Sequence, residues 1–167
     1  MGGNAVGSRL TVSLRQVATF NTGGVGVGGC CWVASPNNDR VVAGLDNGEV
    51  VFLEPGALRL VEGPVLRHVD AISSCSYLTS SGRVATTSHD DTALLWDPMM
   101  GLPATSPLEG HTAPVTDCRE IELAEGLFVL VTTSEDGTIR LWDTATGEPA
   151  SAPLSTGSPL GACCAVP

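Results

Sequence analysis

The chain repeats itself, and the repeat constrains its fold more than any other feature. Three segments share one pattern, Val42 to Phe52, Thr86 to Trp96 and Thr132 to Trp142. The turn acids Asp46, Asp90 and Asp136 stand 44 and 46 residues apart, and each is followed six residues later by an aromatic, Phe52, Trp96 or Trp142. A second pair of segments, Pro107 to Thr112 and Pro153 to Ser158, recurs at 46 residues. Such a period means stacked copies of one supersecondary unit, because a single unit cannot bury its apolar face alone.

Each copy reads as strand, turn, strand. Arg83 to Thr87 and Leu127 to Thr133 are short and β-branched. Asp46-Asn47-Gly48 and Glu135-Asp136-Gly137 are hairpin turns, where Asn, Asp and Gly supply positive φ. Breakers follow each third strand at Pro55-Gly56, Pro98 to Gly101 and Gly147 to Pro149. No window of a dozen residues carries an uninterrupted helical apolar stripe. Cys118 to Glu125 could pass as a helix in isolation, but its place in the repeat makes it a strand running into a turn. The period lies near the roughly 40–45 residues of a four-stranded propeller blade.

Charge narrows the partners. All eight cations are Arg, and against 18 acids they leave a net charge of −10. That balance argues against a nucleic-acid surface, which needs clustered cations, and against an anionic membrane. Met1 to Ser8 has no secretory apolar block, and Val6 stands where a myristoylation motif needs Ser or Thr. The expected setting is cytoplasmic.

Gly110-His111, Trp96-Asp97, Trp142-Asp143 and the run from Ser134 to Asp143 resemble the WD40 repeat family. The resemblance is strong over Val65 to Leu154, weaker over Gly24 to Glu62 and absent before about Val12. The linkers look like those of bacterial members. The resemblance implies an all-β fold of β-propeller blades, each of four antiparallel strands. About three blades and flanking strands would form an incomplete ring. The expected divisions are an N-terminal segment 1–23 with a strand around Arg9 to Phe20, a degenerate repeat 24–67, and repeats 68–110 and 111–156. The start of a fourth repeat would occupy 157–167, with a strand around Leu160 to Val166.

The family's blades are often tied by a His, Ser/Thr, Asp and Trp set. Carried onto this sequence, the sets are His68, Thr86, Asp90, Trp96 and His111, Thr132, Asp136, Trp142. A set repeated in neighbouring blades reads as scaffold rather than as Ser/Thr-His-Asp catalysis. In the first repeat the aligned positions are Gly24, Val42, Asp46 and Phe52, so no such set is expected there, and Gly157 stands where His111 stood.

Cys31, Cys75, Cys118 and Cys164 recur at steps of 44, 43 and 46 residues on the first strand of each copy. They read as buried thiols, with disulfide or zinc as the alternatives; Cys30 and Cys163 should face the other way. Gly24 to Gly29 matches G-x-G-x-x-G, but a strand follows it instead of a helix, so no cofactor is expected. His89-Asp90-Asp91 offers metal-ligand residue types, yet it reads as a solvated turn, and no metal is expected.

The expected function is a non-enzymatic scaffold for protein partners. Candidate contacts are Asn37, Asn38, Arg40, Arg67, Arg119 and Arg140, because Arg stacks and makes bidentate hydrogen bonds. The alternative is the sensing or regulatory part of a larger bacterial signalling protein whose ATPase, kinase or protease domain lies elsewhere. Open blade edges would also permit self-association.

Overall fold

A computed structural model describes residues 22–34, 39–54, 59–60, 67–123 and 126–164. The strand expected around Arg9 to Phe20, Pro55-Gly56, Asn37 and Asn38 lie outside these residues.

The described residues form three four-stranded antiparallel sheets, each a meander of consecutive strands. Blade 1 holds β1 (Val27–Val33), β2 (Arg40–Leu45), β3 (Val50–Glu54) and β4 (Arg59–Leu60). Blade 2 holds β5 (Ile72–Leu78), β6 (Arg83–Ser88), β7 (Ala93–Asp97) and β8 (Leu102–Pro103). Blade 3 holds β9 (Val115–Glu122), β10 (Phe128–Ser134), β11 (Thr138–Asp143) and β12 (Leu154–Ser155). The fold is an incomplete β-propeller. Outer strands of two residues keep each blade's free edge short.

The core lies between blades. At the first seam Val42 and Phe52 pack against Val84, Leu94 and Trp96. At the second, Ala85, Leu95 and Leu108 pack against Leu130 and Trp142. Blade 2 is therefore buried on both faces. No helix among the described residues is long and apolar enough to cross a membrane.

Blade 1 departs from the sequence alignment by one residue. Its ladder pairs Val42 with Phe52, whereas the other blades pair Val84 with Trp96 and Leu130 with Trp142. The turns give the same answer. Gly48, Asp91 and Gly137 occupy one turn position, all at positive φ (83°, 67° and 76°). Asn47 Oδ1 accepts the Glu49 N–H at 3.1 Å, as Asp90 Oδ1 accepts Thr92 N–H at 3.0 Å and Asp136 Oδ1 accepts Thr138 N–H at 2.8 Å. Asn47, not Asp46, thus stands at the place of Asp90 and Asp136. Leu53, not Phe52, stands at the place of Trp96 and Trp142.

In a strand a one-residue shift moves a side chain to the opposite face. Phe52 consequently faces blade 2, where it meets Trp96 edge-on with ring centroids 6.2 Å apart. The inner strands shift in step. Val33 pairs with Arg40 and Leu78 with Arg83. Counting back from these pairs puts Cys30 at the position of Cys75 and Cys118. Cys31 instead packs against the first-seam core, and Cys30 is exposed.

The strand expected around Leu160 to Val166 is corrected over 160–164, which form no ladder. Leu160 N–H donates to Ser134 O at 3.1 Å, and Leu160 O accepts from the Thr116 hydroxyl at 2.8 Å. Val115 O accepts from the Ser73 hydroxyl in the same manner one blade earlier. The segment starts along an inner-strand path, but no described strand lies beyond it to pair with.

The register predicts unequal losses at two neighbouring residues. Phe52→Ala should cost about 3–5 kcal/mol, and Leu53→Ala, at a half-buried side chain, less than half of that. Urea denaturation measures both; a larger loss at Leu53 would mean that Phe52 does not face blade 2.

Candidate functional site

The most structured polar groups are two copies of one hydrogen-bonded chain. In blade 2, Trp96 Nε1–H donates to Thr86 Oγ1 at 2.8 Å. Thr86 Oγ1 lies 2.9 Å from His68 Nε2, and His68 Nδ1 lies 2.9 Å from Asp90 Oδ2. In blade 3 the same three links join Trp142, Thr132, His111 and Asp136 at 2.9, 2.8 and 3.0 Å. The strands explain the match, since Thr86 and Thr132 occupy equivalent places on β6 and β10. Each His enters just before the inner strand, and each Asp hangs from the β-turn.

Donor chemistry sets the order of protons. Indole N–H can only donate, so it fills a lone pair of the threonine oxygen. The threonine hydroxyl then donates to His Nε2, and a neutral imidazole donates Nδ1–H to the carboxylate. An imidazolium would present a second N–H to the threonine oxygen and leave the hydroxyl without its acceptor. Burial agrees, holding His111 below the ordinary histidine pKa against the upward pull of the Asp136 carboxylate. At Asp90 burial pushes the carboxyl upward, but donors from His68, Thr92 and the Val69 N–H outweigh it. At Asp136 burial is likewise outweighed, by the Thr138 hydroxyl, the Thr112 N–H and His111. Both carboxyls lie well below the usual range. Thr86 and Thr132 are wholly buried, and His68 and His111 are 2% and 7% exposed. In blade 1, Ala43 takes the place of Thr86 and Leu53 that of Trp96, so this chain of groups does not form.

A second set of polar groups ties blade to blade, and sequence reasoning missed most of it. Arg40 Nη1 donates to Pro98 O at 2.6 Å, and Arg83 Nη1 donates to Thr144 O at 3.0 Å. Each Arg opens the second strand of its blade and reaches the turn after the next blade's third strand. The signal was present in the matching Arg-Val starts of β2 and β6. Arg40 is therefore corrected as a partner contact: it is 5% exposed and also pairs with Glu54 at 3.5 Å. Asp117 joins three inner segments. It accepts from Ser74 Oγ at 2.6 Å, from Cys163 N–H at 3.1 Å, and pairs with Arg119 at 3.1 Å.

The remaining arginines differ in availability. Arg67 has a 55% exposed side chain beside Glu49, and Arg119 is 42% exposed. Arg140 Nη2 donates to Gly110 O at 2.6 Å. Within the Gly24 to Gly29 run, Gly28 and Gly29 serve close packing, while Gly24 has open space around it. A Cβ on Gly28 would fall 1.7 Å from Ile72 O, and one on Gly29 2.8 Å from Cys75 N. His89, Asp90 and Asp91 diverge: Asp90 is held by His68, while Asp91 supplies the turn's positive φ.

Antiparallel blades with an internal Trp–Thr–His–Asp tie define a repeat propeller. The WD domain, G-beta repeat family matches residues 64–97 and 103–143, and these segments are WD40 repeats. No curated protein matches the chain in sequence. Among solved structures, the computationally designed Ika4 protein is similar with a TM-score of 0.71 and 20% identity, over 90% of this chain and 86% of that one. The computationally designed Ika8 protein is similar with a TM-score of 0.63 and 22% identity, over 81% of this chain and 39% of that one. These likenesses show the fold.

The proton order predicts a neutral His111 with its proton on Nδ1 at pH 6, readable by long-range ¹⁵N NMR; an imidazolium there would overturn it. The linkage sign follows. Below about pH 6.5 the unfolded chain protonates His111 while the folded chain resists, so this contribution to stability falls with pH. A further loss begins below about pH 4, where Asp90 and Asp136 protonate first in the unfolded chain. Trp142→Ala should cost about 3–5 kcal/mol by denaturant titration, and an unchanged midpoint would remove its structural role.

Proposed function

We propose that the chain is a non-catalytic WD40 scaffold that binds protein partners through the loop ends of its blades, in the cytoplasm. The observation that carries this reading is the closure of both His–Asp–Thr sets. A catalytic imidazole must take a proton from a hydroxyl that substrate can reach. Here each threonine hydroxyl is buried beneath an indole N–H, and each imidazole is used at both nitrogens. The arrangement supports a rigid frame, and loops on a rigid frame are where binding concentrates. The rival reading, a regulatory part of a larger signalling protein, uses the same surfaces and differs in what is attached to them.

A second copy of the chain is also a proposed partner. Ala85, Ala93 and Leu95 of blade 2 lie at 0–1% exposure beneath blade 3. The matching residues of blade 3, Val131, Ile139 and Leu141, are only half-buried. That face has the composition of a seam without a described blade against it.

Affinity purification followed by charge reversal tests the scaffold reading. Arg67→Glu and Arg119→Glu should each lower recovery of a captured protein by about tenfold while the fold is retained. An unchanged set of partners with both variants would remove these surfaces from the proposal. Light scattering tests self-association, and a mass of 17.1 kDa at high concentration would exclude it.

A further inference from the structure

The inner strands β1 and β5 bring two free thiols together across the first seam. Cys31 Sγ and Cys75 Sγ are 3.2 Å apart, from residues 44 positions apart in sequence and in different blades. The approach has a cause in the backbone. Gly28 and Gly29 leave no room for any side chain between β1 and β5, so the strands lie closer than Cβ atoms would allow. The one-residue shift of blade 1 supplies the rest, because it turns Cys31 toward blade 2, where Cys75 points back. At the second seam the place of Cys31 is taken by Ser76. Cys118 Sγ there contacts Ala85 O at 3.9 Å, as Cys75 Sγ contacts Val42 O at 3.8 Å. Among the described residues the facing thiol pair thus belongs to the seam of the blade that lacks the Trp–Thr–His–Asp tie.

We propose that Cys31 and Cys75 are an oxidisable thiol pair, converted by a hydroperoxide into a disulfide that staples blade 1 to blade 2. The two positions differ chemically. The hydrogen bond from the Cys75 thiol holds Cys31 below the ordinary cysteine value, with burial opposing it. The same bond and burial hold Cys75 well above that value. Cys31 is also half-buried, whereas Cys75 is buried. Cys31 is therefore the attacking thiolate and Cys75 the resolving thiol.

The Cys31 thiolate attacks one peroxide oxygen. An S–O bond forms, the O–O bond breaks, and hydroxide leaves and takes up the thiol's proton as water. The Cys75 sulfur then attacks the Cys31 sulfenic sulfur. The S–S bond forms, the S–O bond breaks, and the departing hydroxide takes the Cys75 proton. Two thiols and one hydrogen peroxide yield one disulfide and two waters. Closing from 3.2 Å to a bonded distance of about 2.05 Å needs only a small approach by the two side chains.

Hydrogen peroxide on the reduced 167-residue chain tests the proposal. Trypsin cuts after arginine, so a non-reducing digest separates residues 16–40 from residues 68–83. We expect these peptides to become joined with the loss of two hydrogens, and dithiothreitol to release them. The link should persist in Cys30→Ser and vanish in Cys31→Ser. Fragmentation of the wild-type linked peptide identifies the sulfur even where Cys31→Ser does not fold. Oxidation should raise the melting midpoint by about 5–10 °C, reversibly. No joined peptide, or a link through Cys30, would overturn the proposal.

Discussion

Each described blade is a sheet that packs apolar side chains against the blade beside it. A single hairpin or a lone sheet has no second layer, so the fold exists only as a stack. Blade 2 shows the condition met on both sides. Its Trp96 faces Phe52 of blade 1, and its Leu95 faces Trp142 of blade 3. Burial alone is non-directional, however, and does not choose which residues meet.

Register is chosen by groups that tolerate only one arrangement. The Trp–Thr–His–Asp chain joins an inner-strand entry, a second strand, a turn and a third strand. A slip by one residue would break every link and strand polar groups in the core. Arg83 and Arg40 extend the same control from blade to blade by capturing carbonyls of the neighbouring turn. Blade 1 has the arginine clamp but not the internal chain. Its register instead rests on Gly48 at positive φ, on Asn47 in the turn, and on Phe52 against Trp96.

The functional reading follows from the same accounting. In both His–Asp–Thr sets the threonine oxygen and both imidazole nitrogens are hydrogen-bonded within the frame. Among the described residues, loop surface, the exposed Arg67 and Arg119 side chains and the half-buried face of blade 3 stay outward. Among the described residues, the close thiols lie at the seam of the blade that lacks the internal chain, so a covalent link there would hold a blade without that tie to its neighbour.

Much of this was legible in the sequence. The period, the turn residues and the Trp-Asp pairs require strands, hairpins and repeated blades, because those signals are local and recur at fixed spacing. His68, Thr86, Asp90 and Trp96, and their counterparts in blade 3, were indicated by the resemblance to WD40 repeats, and their matching intervals in the two copies agree with it. Tertiary structure decided the rest. Asp46 and Phe52 keep the six-residue interval of Asp90 and Trp96, yet they lie one residue out of step, because the turn is set by Asn47 and by the φ of Gly48. Arg40 looked like surface until the neighbouring blade supplied Pro98 O. Cys30 and Cys31 are adjacent in sequence, and only the packing of β1 on β5 determines which one meets Cys75. Spacing reports what lies along one strand. Which side chain faces which depends on the pleat and on the blade beside it.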